Sequence, residues 1–224
     1  MMAVAGFGAM AAPQASAAPC PDAQVIFARG TAEPAPQLGL TGLSFGEAVR
    51  SQLPGKNVVV TGVNYAASSD FNNRLKFAHT VVEGIKTTQG QIISIAKNCP
   101  GTKIILGGYS QGAALVSYAT QPTIQVPDAY RQYASYVPAP LPPEVASHVA
   151  AVVLFGPPSD NFIRQAGAPP VRTGPLYSSK TQRYCIQGDT VCNGAPIQQP
   201  NALHVLYGVN GMTLDGARFA VQRM

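Results

Sequence analysis

The feature that most constrains this chain is an alternation. Short apolar, largely β-branched runs occur at 23–28 (AQVIFA), 57–63 (NVVVTGV), 103–108 (KIILGG), 149–156 (VAAVVLFG) and 181–187 (TQRYCIQ). Between them lie segments with helical patterning around 44–52, 74–97, 111–119 and 142–148, and a last one covers 214–223. Nearly continuous apolar strands separated by helices require a parallel sheet covered on both faces, because a sheet with one wet face would alternate apolar with polar. The pattern therefore predicts an α/β fold in three layers. In such sheets the ligand site lies beyond the carboxyl ends of the strands, so each candidate residue can be tested by the strand end on which it sits. At 224 residues, 46% of them hydrophobic, the chain has enough apolar material for one large domain.

The opening stretch, MMAVAGFGAMAAPQASAAPC, is apolar and ends in Ala15-Ser16-Ala17, an A-x-A cleavage pattern. Residues 1–18 read as a signal peptide lacking the usual basic n-region, and 19–224 as a single folded domain. The apolar run is too short, and too broken by Gly and Pro, to act as a stop-transfer helix, and no other segment approaches a membrane span. Export fits a chain with only 11% charged residues but 22 Gly and 20 Pro. It also makes two disulfides the expectation for the four cysteines, Cys20, Cys99, Cys185 and Cys192, with three pairings open. No metal site is expected, since the cysteines lack paired spacing and no histidines cluster near them. The net charge of +5 is spread along the chain without a Lys/Arg run interleaved with aromatics, which argues against nucleic acid as a partner.

One serine passes the strand-end test in full. In KIILGGYSQGAALVSYAT, Ser110 follows the 103–108 strand and precedes a helix that opens with Gly112-Ala113-Ala114. A Gly-x-Ser-x-Gly string between strand and helix is what a nucleophile elbow needs: small neighbours permit a sharp turn, and the helix N-terminus faces developing negative charge. A phosphate-cradling loop would instead end in Gly-Lys-Ser/Thr, which is absent. A serine hydroxyl needs a base, and the base needs an orienting acid. Of three histidines, His148 precedes its strand and lies at the wrong edge. His79 sits early in a helix that starts on the catalytic edge, but its place before Ser110 breaks the Ser, Asp/Glu, His chain order. His204 is the preferred base. Asp189 and Asp160 both follow strand ends; Asp189, inside CIQGDTVC, is preferred as the orienting acid, and Asp160 is read as capping the turn after it. The backbone N–H of Gln111 would supply one oxyanion donor, and the loop ARGTAEPAPQLG the second.

Four segments, VIFARGTAE, GGYSQGAAL, VVLFG and CIQGDTVC followed by LH, resemble the signature segments of cutinases, especially the secreted cutinase-like proteins of actinobacteria. The resemblance runs from about Cys20 to the C-terminus. It implies a compact α/β-hydrolase with a central five-stranded parallel sheet, bridges Cys20–Cys99 and Cys185–Cys192, a Ser110, Asp189, His204 triad, and an oxyanion hole from Thr31 and Gln111. It further implies hydrolysis of carboxylic esters of lipid, short or medium acyl chains or polyester, without a cofactor, by an exported monomer that is free or held at the cell envelope. The loop NGAPIQQPNALH is more polar than the greasy rim expected for long polyesters, leaving Ile197 and Leu203 as acyl contacts. An acetyl-xylan esterase, or an envelope lipid-binding protein with weak catalysis, are the alternative readings. The Tyr-rich insert at 127–140 is expected to be a structural cover rather than a lid.

Overall fold

The computed structural model describes residues 19–34, 37–196 and 199–224, so the proposed signal segment and Ile197 lie outside it. Five strands form one sheet: β1 (Ala23–Ala28), β2 (Val58–Gly62), β3 (Lys103–Tyr109), β4 (Val149–Phe155) and β5 (Thr181–Tyr184). Their order is β2-β1-β3-β4-β5, and every neighbouring pair is parallel. The strand β1 pairs Ala28 with Gly108 of β3, and β3 pairs Tyr109 with Phe155 of β4, which in turn pairs with Tyr184 of β5. The carboxyl ends of the four strands thus finish side by side.

The period of two along each strand builds two separate cores. Ile26 and Ala28 of β1, Ile104 and Leu106 of β3, and Val152 and Leu154 of β4 point to one face. There they meet α2 (Arg74–Asn98), through Ile85 and Ile92, and α3 (Gln111–Ala119), through Ala113, Leu115 and Val116. Val25, Phe27, Ile105, Val153 and Phe155 point to the other face, against α1 (Gly39–Gln52), through Phe45, Ala48 and Val49, and against α6 (Met212–Val221), through Ala217 and Ala220. This is the expected three-layer α/β architecture. Glycine at 107 is required by it, because a Cβ there would come within 2.5 Å of the Phe27 ring.

Several boundaries differ from the sequence reading. Helix α1 starts at Gly39, well before 44, because its first turn is held by a carboxylate outside the helix. Residues 143–148 form a 3-10 helix rather than an α-helix, and β5 stops at Tyr184 because the chain leaves the sheet at Cys185. The short helix α4 (Asp160–Ala166) was not foreseen, although its frame is written in the sequence: Ser159 Oγ accepts from Phe162 N (3.2 Å) and Gly167 closes the helix at φ 69°. A further single-turn helix, α5, spans Pro175–Ser178. Among the described residues no helix is long and apolar enough to cross a membrane. Cys20 is bonded to Cys99 and Cys185 to Cys192.

The Tyr-rich insert folds as a 3-10 run over Asp128–Tyr136. Tyr136 packs on His79, with ring centroids 4.9 Å apart, and Tyr130 lines an open groove with Asp70, Asn73 and Leu75. Although both ends of the insert lie at the amino edge, its middle lies beside the first half of α2 and reaches the Asp70 loop that follows β2.

Candidate active site

Ser110 occupies the turn between β3 and α3 with φ 54° and ψ −117°, a conformation that L-residues rarely adopt. The turn continues the sheet for one more bond, Ser110 N donating to Phe155 O at 2.9 Å. Helix α3 can start immediately because Gly112 lets it approach β1: a Cβ at 112 would lie 2.0 Å from Ala28 O. The first N–H groups of a helix have no partner within it, so the Gln111 N–H is available at the helix mouth. The Gln111 side chain is turned aside, its Nε2 donating to Ser68 O at 3.2 Å.

The three side chains singled out from sequence meet above the carboxyl ends of the strands. Ser110 Oγ is 2.8 Å from His204 Nε2, and His204 Nδ1 is 2.8 Å from Asp189 Oδ2. His204 and Asp189 are both buried, and Ser110 is half-buried. Asp189 lies in the loop enclosed by the Cys185–Cys192 bridge, and its Oδ1 accepts from Val191 N at 2.9 Å. Burial by itself would raise the Asp189 carboxyl, but hydrogen bonds from His204, Tyr207 and the Val191 N–H outweigh it and leave the group below the usual carboxylate range. An ionised carboxylate beside Nδ1 favours the tautomer whose Nε2 accepts the serine proton.

The competing residues stand elsewhere. His79 is exposed against Tyr136, and His148 closes the 3-10 turn before β4 at the amino edge. Asp160 forms an exposed pair with Arg172, with 2.6 Å between Oδ1 and Nη1; Ser159, not Asp160, caps α4. Leu203 is half-buried against Gly188 of the Asp189 loop.

Thr31 lies in the turn after β1, where strain is concentrated. Ala32 (φ 56°), Ala67 (φ 47°) and Ser110 are the non-glycine residues with left-handed φ among those described. They are neighbours: Ala32 N donates to Ala67 O at 2.8 Å, and Ser68 holds Gln111. Backbone strain of this kind persists only where the surroundings over-determine it, and it gathers at functional sites.

Three contributors were not foreseen. Glu33 uses both carboxylate oxygens on backbone, accepting from Gly30 N at 2.6 Å and Leu40 N at 3.1 Å, so it holds the Thr31 turn and caps α1 together. Burial pushes its carboxyl above the ordinary range, and the two N–H bonds and the Arg29 guanidinium offset this only in part. Tyr109 donates to His204 O at 2.7 Å, and Tyr207 donates to Asp189 Oδ2 at 2.6 Å. Adjacency to Ser110, and a spacing of three from His204, were the signals available in sequence. Among the described residues no group of His, Cys, Asp and Glu is arranged to hold a metal ion.

A family model described as Cutinase matches residues 19–224. The chain is 49% identical over 174 residues to the probable carboxylesterase Culp7 of Mycobacterium tuberculosis, an alignment covering 78% of this chain and 89% of that protein. Among solved structures it resembles a Trichoderma reesei cutinase in complex with a phosphonate inhibitor, with a TM-score of 0.65, 31% identity, and 91% of this chain and 77% of that one covered. The catalytic core of an acetyl xylan esterase from Trichoderma reesei shares the fold at a TM-score of 0.71 and 20% identity, covering 92% of this chain and 100% of that one. The extent of the family match, the identity to its relatives and the shared five-stranded α/β-hydrolase architecture agree: this chain belongs to the cutinase family.

Proposed function

We propose that this member of the cutinase family is an exported serine esterase that cleaves carboxylic esters through an acyl-enzyme on Ser110. The observation that carries this reading is the unbroken line from Ser110 Oγ to His204 to Asp189, each step 2.8 Å. Ser110 Oγ attacks the ester carbonyl as His204 Nε2 takes its proton, and Asp189 stabilises the imidazolium that results. The tetrahedral oxyanion is received by the N–H of Gln111 and by Thr31, where each donor is worth on the order of a hundredfold to a thousandfold in rate. His204 then hands its proton to the departing alcohol, which leaves an ester bond between the acyl group and Ser110. Water, activated by the same imidazole, releases the acid and restores the hydroxyl.

Leu203 is the described residue proposed to contact the acyl chain, and lipids, short or medium acyl esters and polyesters are the candidate substrates. Two disulfides support residence outside the cell, and the folded unit is taken as residues 19–224 acting as a monomer without cofactor.

Replacement Ser110→Ala tests the reading. Turnover of p-nitrophenyl butyrate should fall by on the order of 10⁴-fold or more, and a fluorophosphonate should label the parent protein once and the variant not at all. Retention of a tenth of the activity would remove Ser110 from the reaction. A chain-length series from acetate to palmitate, with a phospholipid and a polyester included, then separates a lipid or polyester esterase from one confined to acetyl groups. Lipid binding with no fluorophosphonate adduct would point to a binding protein instead.

A further inference from the structure

We propose that Tyr207 is a positioning residue for the catalytic group: its hydroxyl locks the Asp189 loop to the His204 loop and takes a share of the carboxylate's charge. The inference rests on the Ser110, His204, Asp189 reading above.

A phenol has one proton to give and lone pairs to receive. Ile186 N donates to the Tyr207 oxygen at 3.0 Å, so that contact uses a lone pair. Cys192 Sγ, 3.3 Å away, is in a disulfide and carries no proton. The Tyr207 proton therefore goes to Asp189 Oδ2 at 2.6 Å, the same oxygen that receives His204 Nδ1–H. With Val191 N on Oδ1, the carboxylate accepts three hydrogen bonds and cannot rotate. Because Tyr207 lies three residues after His204 and bonds both Ile186 and Asp189, one side chain sets the distance between the two loops. Tyr109, next to Ser110, does the corresponding work at the other joint by donating to His204 O at 2.7 Å.

The rings are packed independently of the hydroxyls. Tyr207 is fully buried, 6.4 Å from Phe155 and 5.8 Å from Tyr109 between centroids. A phenylalanine would keep these contacts and lose only the hydroxyl. The titratable groups that face His204 are Asp189, Tyr207, Tyr109 and, acting through space, Glu33. A hydrogen bond to a carboxylate draws off part of its charge. Without the Tyr207 proton more negative charge stays on Asp189 Oδ2, beside His204 Nδ1.

In Tyr207→Phe, kcat for p-nitrophenyl butyrate should fall about tenfold with KM nearly unchanged. The acidic limb of kcat/KM should move up by about half a pH unit. Site-specific 3-fluorotyrosine at 207, a more acidic donor, should move the same limb down, which keeps the sign testable if the phenylalanine variant folds poorly. Tyr109→Phe should lower kcat and leave the limb in place. Tyr177→Phe, which removes a buried, unpartnered hydroxyl outside the site, should change neither. Limbs that coincide for Tyr, Phe and 3-fluorotyrosine at 207, in proteins whose Ser110 takes the fluorophosphonate, would overturn the inference and spare the triad. Failure of Ser110 to label in the parent protein would overturn the triad and the inference with it.

Discussion

Ser110 is held where glycine would be more comfortable. At φ 54° and ψ −117° a side chain costs on the order of 1–3 kcal/mol, a cost met by the packing of β3, α3 and β1 around it. In most positions replacing Ala by Gly destabilises by about 0.5–1 kcal/mol; at 110 the sign should reverse. Ser110→Gly is therefore expected to unfold about 1 kcal/mol later than Ser110→Ala in urea, both variants being inactive. Equal midpoints would mean that the turn stores no strain. The serine and its flanking glycines could be recognised in sequence because the elbow is a local steric solution: positions 108 and 112 must lack a Cβ, which at 108 would lie 2.5 Å from Gly112 O and at 112 would lie 2.0 Å from Ala28 O. Ala32 and Ala67 could not, since nothing in their own neighbourhood demands a positive φ; the bond between them across two loops does.

At the scale of elements, α1 illustrates a helix start that local reading cannot find. Its N-cap position, Leu38, has no capping side chain, and the orphan N–H of Leu40 is satisfied by Glu33, seven residues upstream. The carboxylate also complements the helix dipole, and through Gly30 N it fixes the turn that carries Thr31. Gly39 is obligatory here: it has φ 62°, and a Cβ would fall 2.2 Å from Glu33 Oε2. Glu33→Gln places an amide donor against one of two N–H groups, so stability should drop by about 1–2 kcal/mol. Turnover should drop further than that loss explains, by about tenfold with the protein still fully folded, if the loosened turn carries the oxyanion donor proposed at Thr31. Urea titration together with kcat measured well below the transition would check both halves; a fall in stability with unchanged kcat would restrict Glu33 to capping.

For the whole molecule, the two bridges sit in different places relative to the proposed catalytic group. Cys20–Cys99, with a sequence separation of 79, ties the chain before β1 to the end of α2 at the amino edge, far along the strands from Ser110. Cys185–Cys192, with a separation of 7, encloses Asp189. Loop-closure entropy assigns them about 4.5 and about 2.4 kcal/mol. The double variant Cys20→Ser/Cys99→Ser should lose the larger share of stability and keep its kcat; Cys185→Ser/Cys192→Ser should lose less stability and most of its kcat. Calorimetry paired with esterase assays reads both. The reverse ranking in kcat would deny the short bridge its part in aiming Asp189.

What the amino-acid order determined alone was whatever depends on near neighbours or on simple periodicity: five apolar runs, the helices α2 and α3 between them, the elbow at Ser110, and, through chain order and strand ends, the preference for His204 and Asp189. Only the tertiary structure decided how those parts are held. Glu33, Tyr109 and Tyr207 act across as many as 95 positions of chain, and a hydroxyl or carboxylate in a sequence does not announce which distant group it will meet. Hydrogen bonds of that kind are set by the register and packing of the assembled sheet.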